Sequence, residues 1–365
     1  MTIGIGGAGC KLAVKLDPDG VAVNVSESEL NKVEAARRLL AVVHTARGQF
    51  RGSRKNPQIG RDAYQSVKRE LLNLCRGNTL VASTGGGTGN GITSALLKDL
   101  AGLDDIPPQE KTTFVLVLPY AKLEPAEYVR NTIDFLRNTL SEAIDTGNTG
   151  NIFLVSNRVK FEERLAEDAY NERIVESLRE FLAIPRKSDE LLLLDGHIDY
   201  EDFDLYLSRP FFNHFTAFDY DPGAPFAEQL AAATNPLLLP PEAPIEALFF
   251  LEVPSGADPT CYYDILEYFS GNSVSPVFSV VRNPARERPF LTVSLLYSRK
   301  PTELLEDFAR VSEAYTKAKV SKSIEQHVEL PRLEVSLEDT ARKAAKAHGS
   351  SDADILAVLK RLGKL

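Results

Sequence analysis

The stretch Ser83-Thr84-Gly85-Gly86-Gly87-Thr88-Gly89-Asn90-Gly91 is a backbone almost without side chains, set between the apolar run Leu80-Val81-Ala82 and the helix-like Ile92-Thr93-Ser94-Ala95-Leu96-Leu97. A flexible linker does not sit between a buried strand and an amphipathic helix, so the glycines mark a place where something approaches the backbone closely. Without Cβ atoms, successive amides can point inward, and the start of the following helix adds its unpaired N–H groups and positive dipole end. The natural ligand is a phosphate chain. The stretch lacks the GK[ST] ending of the Walker loop, so no lysine of the motif reaches the phosphates. Their charge must then be balanced by Mg2+, by backbone amides, or by both.

Around this turn the first half of the chain alternates β-rich and helical runs, which predicts a doubly wound α/β domain with a parallel sheet. Strands are expected at residues 2–5, 21–25, 79–83, 113–118 and 152–156, and helices at 63–75, 92–100, 126–143 and 166–183. A second glycine turn, Gly4-Ile5-Gly6-Gly7-Ala8-Gly9, follows the first strand and fits GxGxxG. Alone, that pattern suggests either a dinucleotide-binding turn or a tight strand-to-helix turn without a ligand. The ribose-gripping acid of a dinucleotide site should follow about 20 residues later. The segment Asn24-Val25-Ser26-Glu27 offers only Glu27.

A length of 365 residues exceeds one ordinary core and suggests two domains or slightly more. After Pro185 the composition changes: residues 188–225 are aromatic, acidic and loop-like, and a helical run and the proline-rich link 240–244 follow. Strands at 247–253, 276–281 and 290–297 and a helix at 260–269 predict a smaller α+β second domain. From Thr302 the pattern is helical and charged, with capping boxes at Ser336 and Ser351 and a basic end, Leu359-Lys360-Arg361-Leu362-Gly363-Lys364-Leu365.

A net charge of −9 argues against a protein that coats nucleic acid with its whole surface. Cys10, Cys75 and Cys261 match no disulfide framework or zinc spacing, and the five histidines show no HExxH-type pairing, so no protein-held catalytic metal is expected. No apolar run suits a membrane span and no secretory signal is visible, so a cytoplasmic location is expected.

The stretch Gly85 to Gly91 resembles the GGGTG[ST]G signature of the tubulin/FtsZ family of GTPases, with Asn90 in the place of a small residue. The likeness runs in order through roughly residues 2 to 299. "IGIGGAG" resembles the family's first nucleotide loop, "NPQIGRDA" at 56–63 a loop near the γ-phosphate, "LPYAKLEP" the loop after the next strand, and "VSNRV" the following strand end. "AEQLAAATNPLLLPPEAPIEALFFLEVPSG" and "PVFSVVRNPARERPFLTVSLLYS" resemble its later helix and closing strands.

The resemblance implies a Rossmann-like GTPase domain at 1–165, a central helix and catalytic loop at 166–204, an activation domain at 205–299 and a helical extension at 300–365. It implies GTP or GDP, with Mg2+, held by Gly6, Gly7, Ala8, Asn24, Asn56, Gly85, Gly86, Gly87, Thr88, Gly89, Asn90, Glu124 on the ribose, Asn157, and Asn171 on guanine. The family's NxDxxD loop enters the nucleotide site of the next subunit in a head-to-tail filament. Here its spacing reads Asp199-x-Glu201-x-x-Asp204, and carboxylates suit the work of orienting a water beside the γ-phosphate.

Several positions depart from the family pattern. Asp199 stands for asparagine and Glu201 for aspartate, which predicts slowed or differently metal-dependent hydrolysis. Tyr128 replaces an arginine, with Arg130 as a stand-in, and base stacking falls to Tyr170 or another group. Asn171 and Asp199 lie 28 positions apart, a longer spacing than usual. The C-terminal helices resemble those of plasmid and phage tubulin relatives; they fit a role in assembly, an adaptor, a membrane surface, a DNA-bound partner, or packing on their own domain. A filament-forming GTPase serving division, shape or DNA segregation is thus expected, with a non-assembling GTP/GDP-binding regulator as the alternative and a nicotinamide-dependent oxidoreductase behind both. Sequence-specific nucleic-acid binding is not expected.

Overall fold

The computed structural model describes residues 1–45, 48–49, 51–234 and 244–298, together with 309–310, 313–314 and 316–317, which are helical. Met1–Ala314 forms one compact unit and Tyr315–Leu365 another. The expected helices of 300–365, with the boxes at Ser336 and Ser351 and the basic end, lie outside the described residues except for those six, as does most of the proline-rich link.

In chain order the elements are β1 (Thr2–Ile5), α1 (Gly6–Leu16), β2 (Val21–Asn24), α2 (Glu27–Leu30), β3 (Arg37–Leu40), the short pair β4 (His44–Thr45) and β5 (Gly48–Gln49), α3 (Pro57–Cys75), β6 (Thr79–Ser83) and α4 (Thr88–Ala101). There follow β7 (Thr112–Leu118), α5 (Ala126–Asp134), α6 (Ser141–Asp145), β8 (Thr149–Ser156), α7 (Asn157–Glu162), α8 (Glu167–Leu182), α9 (Ile184–Glu190), β9 (Leu192–Gly196) and α10 (Tyr200–Leu207). The last are β10 (Phe212–Asp219), α11 (Phe226–Thr234), β11 (Glu246–Val253), α12 (Tyr262–Gly271), β12 (Val277–Arg282) and β13 (Phe290–Tyr297).

Eleven strands form a single sheet in the order β3-β2-β1-β6-β7-β8-β10-β13-β11-β12-β9. From β3 to β10 every pairing is parallel; β13 runs antiparallel to both β10 and β11. Side chains alternate across the sheet and so build two cores. Leu80, Ala82, Phe249 and Leu251 join the core that holds Tyr64, Ile92 and Phe269, whereas Val81, Leu248 and Phe250 join the one that holds α8. Continuous apolar strands buried on both faces are what a parallel sheet covered by helices requires.

Helix α8 keeps the expected stripe: Ile174, Val175, Leu178 and Phe181 are buried. It ends at Leu182, and Pro185 opens α9, where a first-turn position lets it dispense with its missing N–H. The expected helix at 126–143 is present but has a π-helical turn, Phe135–Leu140, between α5 and α6.

The acidic, aromatic stretch expected to be loop-like is instead β9, α10 and β10. In α10, Phe203 and Tyr206 sit one turn apart and are buried, so a short helical stripe is hidden among acids. Asp199 starts this helix as its N-cap, accepting from the amide of Asp202 at 2.8 Å.

Candidate nucleotide site

Both glycine turns sit at the C-terminal ends of parallel strands and lead directly into α1 and α4, neither of which has a side-chain cap. Their first amides are therefore free for a ligand, the arrangement that favours anions. The turns are also packed against each other and their surroundings. A Cβ on Gly9 would lie 2.2 Å from the Val81 carbonyl oxygen, one on Gly4 2.5 Å from that of Gly9, and one on Gly91 2.1 Å from that of Pro57. Gly60 meets the same seam from α3, since its Cβ would fall 2.9 Å from the Gly91 Cα. By contrast, Gly86 has only Ser83 Oγ nearby, at 3.5 Å, and Gly7 only the Glu29 carboxylate. Some of these glycines are thus demanded by packing, whereas packing does not demand Gly86, which lines the cleft.

Helix α5 holds the signature loop in place. Thr132 and Thr84 share a buried hydroxyl hydrogen bond of 2.9 Å, and Tyr128 lies against Gly85. The Asn131 amide donates to the carbonyl oxygens of Gly85 at 2.9 Å and Lys55 at 3.0 Å, joining the glycine loop to the segment 51–55. In that segment Arg54 and Lys55 both have left-handed backbone, φ 49° and 63°. Such strain persists where the surroundings enforce it. It places Arg51, Arg54 and Lys55 on the wall of the cleft, with Lys55 Nζ 5.0 Å from the centre of the Tyr128 ring.

The cleft between these loops has a volume of about 560 Å3. Gly6, Gly7, Ala8, Asn24, Gly85, Gly86, Gly87, Thr88 and Gly89 line it, as do Glu124, Asn157 and Asn171. Glu124 and Asn157 are bonded to each other. Asn157 Nδ2 donates to Glu124 Oε2 at 3.1 Å, and the same oxygen accepts from the Tyr120 amide at 2.6 Å. Tyr170 anchors α8 there by donating its hydroxyl proton to the Ser156 carbonyl, leaving Asn171 on the cleft wall. Burial pushes the Tyr170 phenol pKa well above its usual range. Lys11 with Glu167 at 2.7 Å and Lys15 with Glu172 at 2.9 Å tie the start of α8 to α1.

Two expected nucleotide residues stand apart. Asn56 caps α3, accepting from the Gln58 amide at 2.9 Å, and lines an adjoining depression. Asn90 is buried and turned inward, its amide donating to the carbonyl oxygens of Thr84 at 2.6 Å and Asn131 at 3.0 Å. Its side chain braces the loop instead of reaching the cleft.

Asp199, Glu201 and Asp204 are also remote from the cleft. Asn151, near the start of β8, donates to the Tyr206 and Arg209 carbonyls at 3.0 and 2.9 Å, which docks the end of α10 at the N-terminal end of that strand. The eight residues of β8 put roughly 25 Å between that end and the cleft. Glu201 and Asp204 are solvent-facing, beside exposed Tyr200 and Leu205, and partial desolvation raises the Asp204 carboxyl pKa. Asp199 spends a carboxylate oxygen on its cap.

Sequence reasoning misses the basic wall and Asn131. The run Arg51-Gly52-Ser53-Arg54-Lys55 is the local signal that could locate the former. Among the described residues no group of three or more His, Cys, Asp or Glu could cage a metal, and no helix is long and apolar enough to cross a membrane.

No protein-family model matches the sequence, and no curated protein matches it. Solved structures do. CetZ2 from Haloferax volcanii, in a GTPγS-bound protofilament, superposes with a TM-score of 0.64 at 21% identity, over 87% of this chain and 98% of that one. TubZ of Bacillus thuringiensis serovar israelensis, in a GTPγS-form protofilament, gives 0.68 at 15% identity over 88% and 93%. An empty FtsZ dimer from M. jannaschii gives 0.61 at 16% over 83% and 90%. By these superpositions the fold of this chain is a divergent form of the tubulin/FtsZ fold.

Proposed function

We propose that the chain binds guanine nucleotide in the cleft and assembles head to tail, so that GTP held by one subunit is hydrolysed against α10 of the next. The observation that carries this reading is the separation of two half-sites: a glycine-lined cleft of about 560 Å3 at the C-terminal ends of the parallel strands, and solvent-facing Glu201 and Asp204 at the opposite end of the same sheet. Within one chain they cannot meet, whereas stacked copies bring them together, and a heterologous contact of this kind propagates without closing. The GTPγS-bound protofilaments of CetZ2 and TubZ support the same arrangement.

In this reading the amides at Gly6 to Ala8 and Gly85 to Gly89 cradle the phosphates, and Arg51, Arg54 and Lys55 offset their charge. Asn171 reads the base beside Tyr170, with Glu124 and Asn157 on the ribose side. Mg2+, if it accompanies the nucleotide, would be held largely by phosphate oxygens, with Glu29 the carboxylate facing Gly7. Glu201 and Asp204 orient the attacking water, and the partial desolvation that raises the Asp204 carboxyl pKa favours its taking a proton. Asp199 positions α10. The working division is then a nucleotide domain at 1–165, a central helix and catalytic segment at 166–204 and an activation domain at 205–299, in a cytoplasmic filament.

The engagement of Asp199 as a helix cap favours a second reading, in which the chain binds GTP or GDP without assembling. GTP turnover per molecule across a range of protein concentrations separates them. The filament reading requires it to climb steeply above a threshold; a flat profile, with protein remaining in the supernatant after centrifugation, leaves the regulator.

A further inference from the structure

Three buried polar residues interrupt the apolar face of the sheet that α8 and α10 cover: Asn151 on β8, Asn213 on β10 and Ser294 on β13, strands adjacent in the sheet. Phe153, Phe215 and Leu296, on the same strands, belong to the core beneath those helices. The registers set Asn213 opposite Phe153 and Leu296, so Asn151 and Ser294 are its diagonal neighbours, within reach of a side chain. Buried polar groups need partners, and these find one another. Asn151 turns Nδ2 toward two carbonyl oxygens, which can only accept, those of Tyr206 at 3.0 Å and Arg209 at 2.9 Å. Its Oδ1 therefore accepts from Asn213 Nδ2 at 2.6 Å, and Asn213 Oδ1 accepts from the Ser294 hydroxyl at 2.8 Å. With its own proton engaged, Ser294 Oγ can only accept, and the Tyr206 hydroxyl donates to it at 3.0 Å, sharing the proton with the Ser294 carbonyl. Burial pushes the Tyr206 phenol pKa well above its usual range, which keeps that donor protonated. The chain of bonds thus leaves Tyr206 at its backbone and returns at its side chain.

Helix α10 also packs through Phe203, whose ring centre lies 5.2 Å from that of Phe181. Apolar contact is non-directional and leaves a short helix free to roll. Bonds to both the carbonyl and the hydroxyl of Tyr206 fix its roll and its height. With roughly 3.6 residues per turn, Glu201 and Asp204 flank the side of α10 opposite Tyr206, so the roll decides where they point. We propose that Asn151, Asn213 and Ser294 are positioning residues for hydrolysis, which lock α10 so that Glu201 and Asp204 meet the nucleotide of the next subunit. This role rests on the divided-site reading and names what sets its geometry. Stability alone does not call for such a chain, because apolar groups of the same shape would fill the space about as well. Directed bonds add orientation, and a displacement of about 1 Å at a reacting group can cost on the order of a hundredfold in rate.

Two variants cut the chain at its ends: Asn151→Leu removes the donor to the Tyr206 carbonyl, and Tyr206→Phe removes the hydroxyl while keeping the ring. GTP turnover per pelleted mass is measured for each, with the nucleotide affinity of the unassembled chain and thermal unfolding alongside. The expected result is wild-type affinity and pelleting, with turnover lowered about ten- to a hundredfold in Asn151→Leu and several-fold in Tyr206→Phe. The defect should also sort with the acids. Mixed in equal parts with the cleft variant Lys55→Glu, Asn151→Leu regains turnover; mixed with the double acid variant Glu201→Gln, Asp204→Asn, it does not. A loss of stability alone has no such preference for one partner. Wild-type turnover in filaments of both variants overturns the proposal, as does recovery with the acid variant or none with Lys55→Glu. If Asn151→Leu does not fold, Tyr206→Phe decides by the same measurements. A wild type whose turnover per molecule does not rise with concentration overturns the divided-site reading and this role with it.

Discussion

A Cβ on Gly6 would lie 2.8 Å from the amide nitrogen of Gly89, so the two glycine loops meet backbone to backbone before any ligand arrives. Gly6 also has φ +74°, a conformation that disfavours a side chain. Gly6→Ala and Gly89→Ala should each lower stability by about 1–3 kcal/mol through overpacking. Gly86→Ala, whose Cβ would meet only Ser83 Oγ at an ordinary contact of 3.5 Å, should change stability by no more than about 0.5 kcal/mol while weakening nucleotide binding. Thermal unfolding without nucleotide, followed by titration with a GTP analogue, checks both halves; equal destabilisation by all three would contradict the division of labour.

Asn90 breaks the glycine signature, and its geometry predicts a structural phenotype. Asn90→Ala removes a donor from the buried Thr84 carbonyl and one of the two donors to the Asn131 carbonyl, and should cost about 1–3 kcal/mol. Nucleotide affinity of the folded protein should be nearly unchanged. A large affinity loss at wild-type stability would show instead that the amide reaches the ligand.

Lys55 and Arg54 reach the cleft through a strained segment that Asn131 holds. Lys55→Gln should weaken GTP binding by about tenfold, the scale of one charge-assisted hydrogen bond, and GDP binding less, because GDP carries less charge. Asn131→Ala should show a similar bias toward GDP without removing any charge. Equilibrium binding of the two nucleotides to each variant reads the difference.

His214 is buried, and among the described residues both ring nitrogens lack a hydrogen-bond partner. Burial pushes its pKa down to about 4, so the folded state resists a proton that the unfolded chain accepts near 6.5. Stability should therefore be fully present above about pH 6.5 and fall as pH drops toward 4, by on the order of 3 kcal/mol. His214→Leu should remove that component. Chemical denaturation of both proteins at pH 7 and pH 5 measures it, and an unchanged pH dependence would contradict the assignment.

Much of this molecule is legible from its residues. The apolar run Leu80-Val81-Ala82 followed by glycines locates β6 and its loop, because a strand buried on both faces must be apolar throughout and a loop packed against neighbouring backbone must be bare. The stripe Ile174, Val175, Leu178 similarly announces α8. The stretch 188–225 hides its elements because three strand leucines and a helix stripe of only Phe203 and Tyr206 are too short for a period to emerge among acids and aromatics. Asn90 and Asn131 are opaque for another reason. Their partners are backbone carbonyls brought close only by the tertiary fold, and no local pattern encodes them.

The central claim is that one active site is divided between two subunits, and mixing two defective variants tests it most directly. Lys55→Glu spoils the cleft but keeps the acids, while Glu201→Gln with Asp204→Asn keeps the cleft but spoils the acids. Each alone should have little GTP turnover. Mixed in equal amounts, random stacking restores an intact cleft facing intact acids at about a quarter of the interfaces, so turnover should recover to roughly that fraction of wild type. A mixture no more active than its components, or a double acid variant with wild-type turnover on its own, would contradict the account.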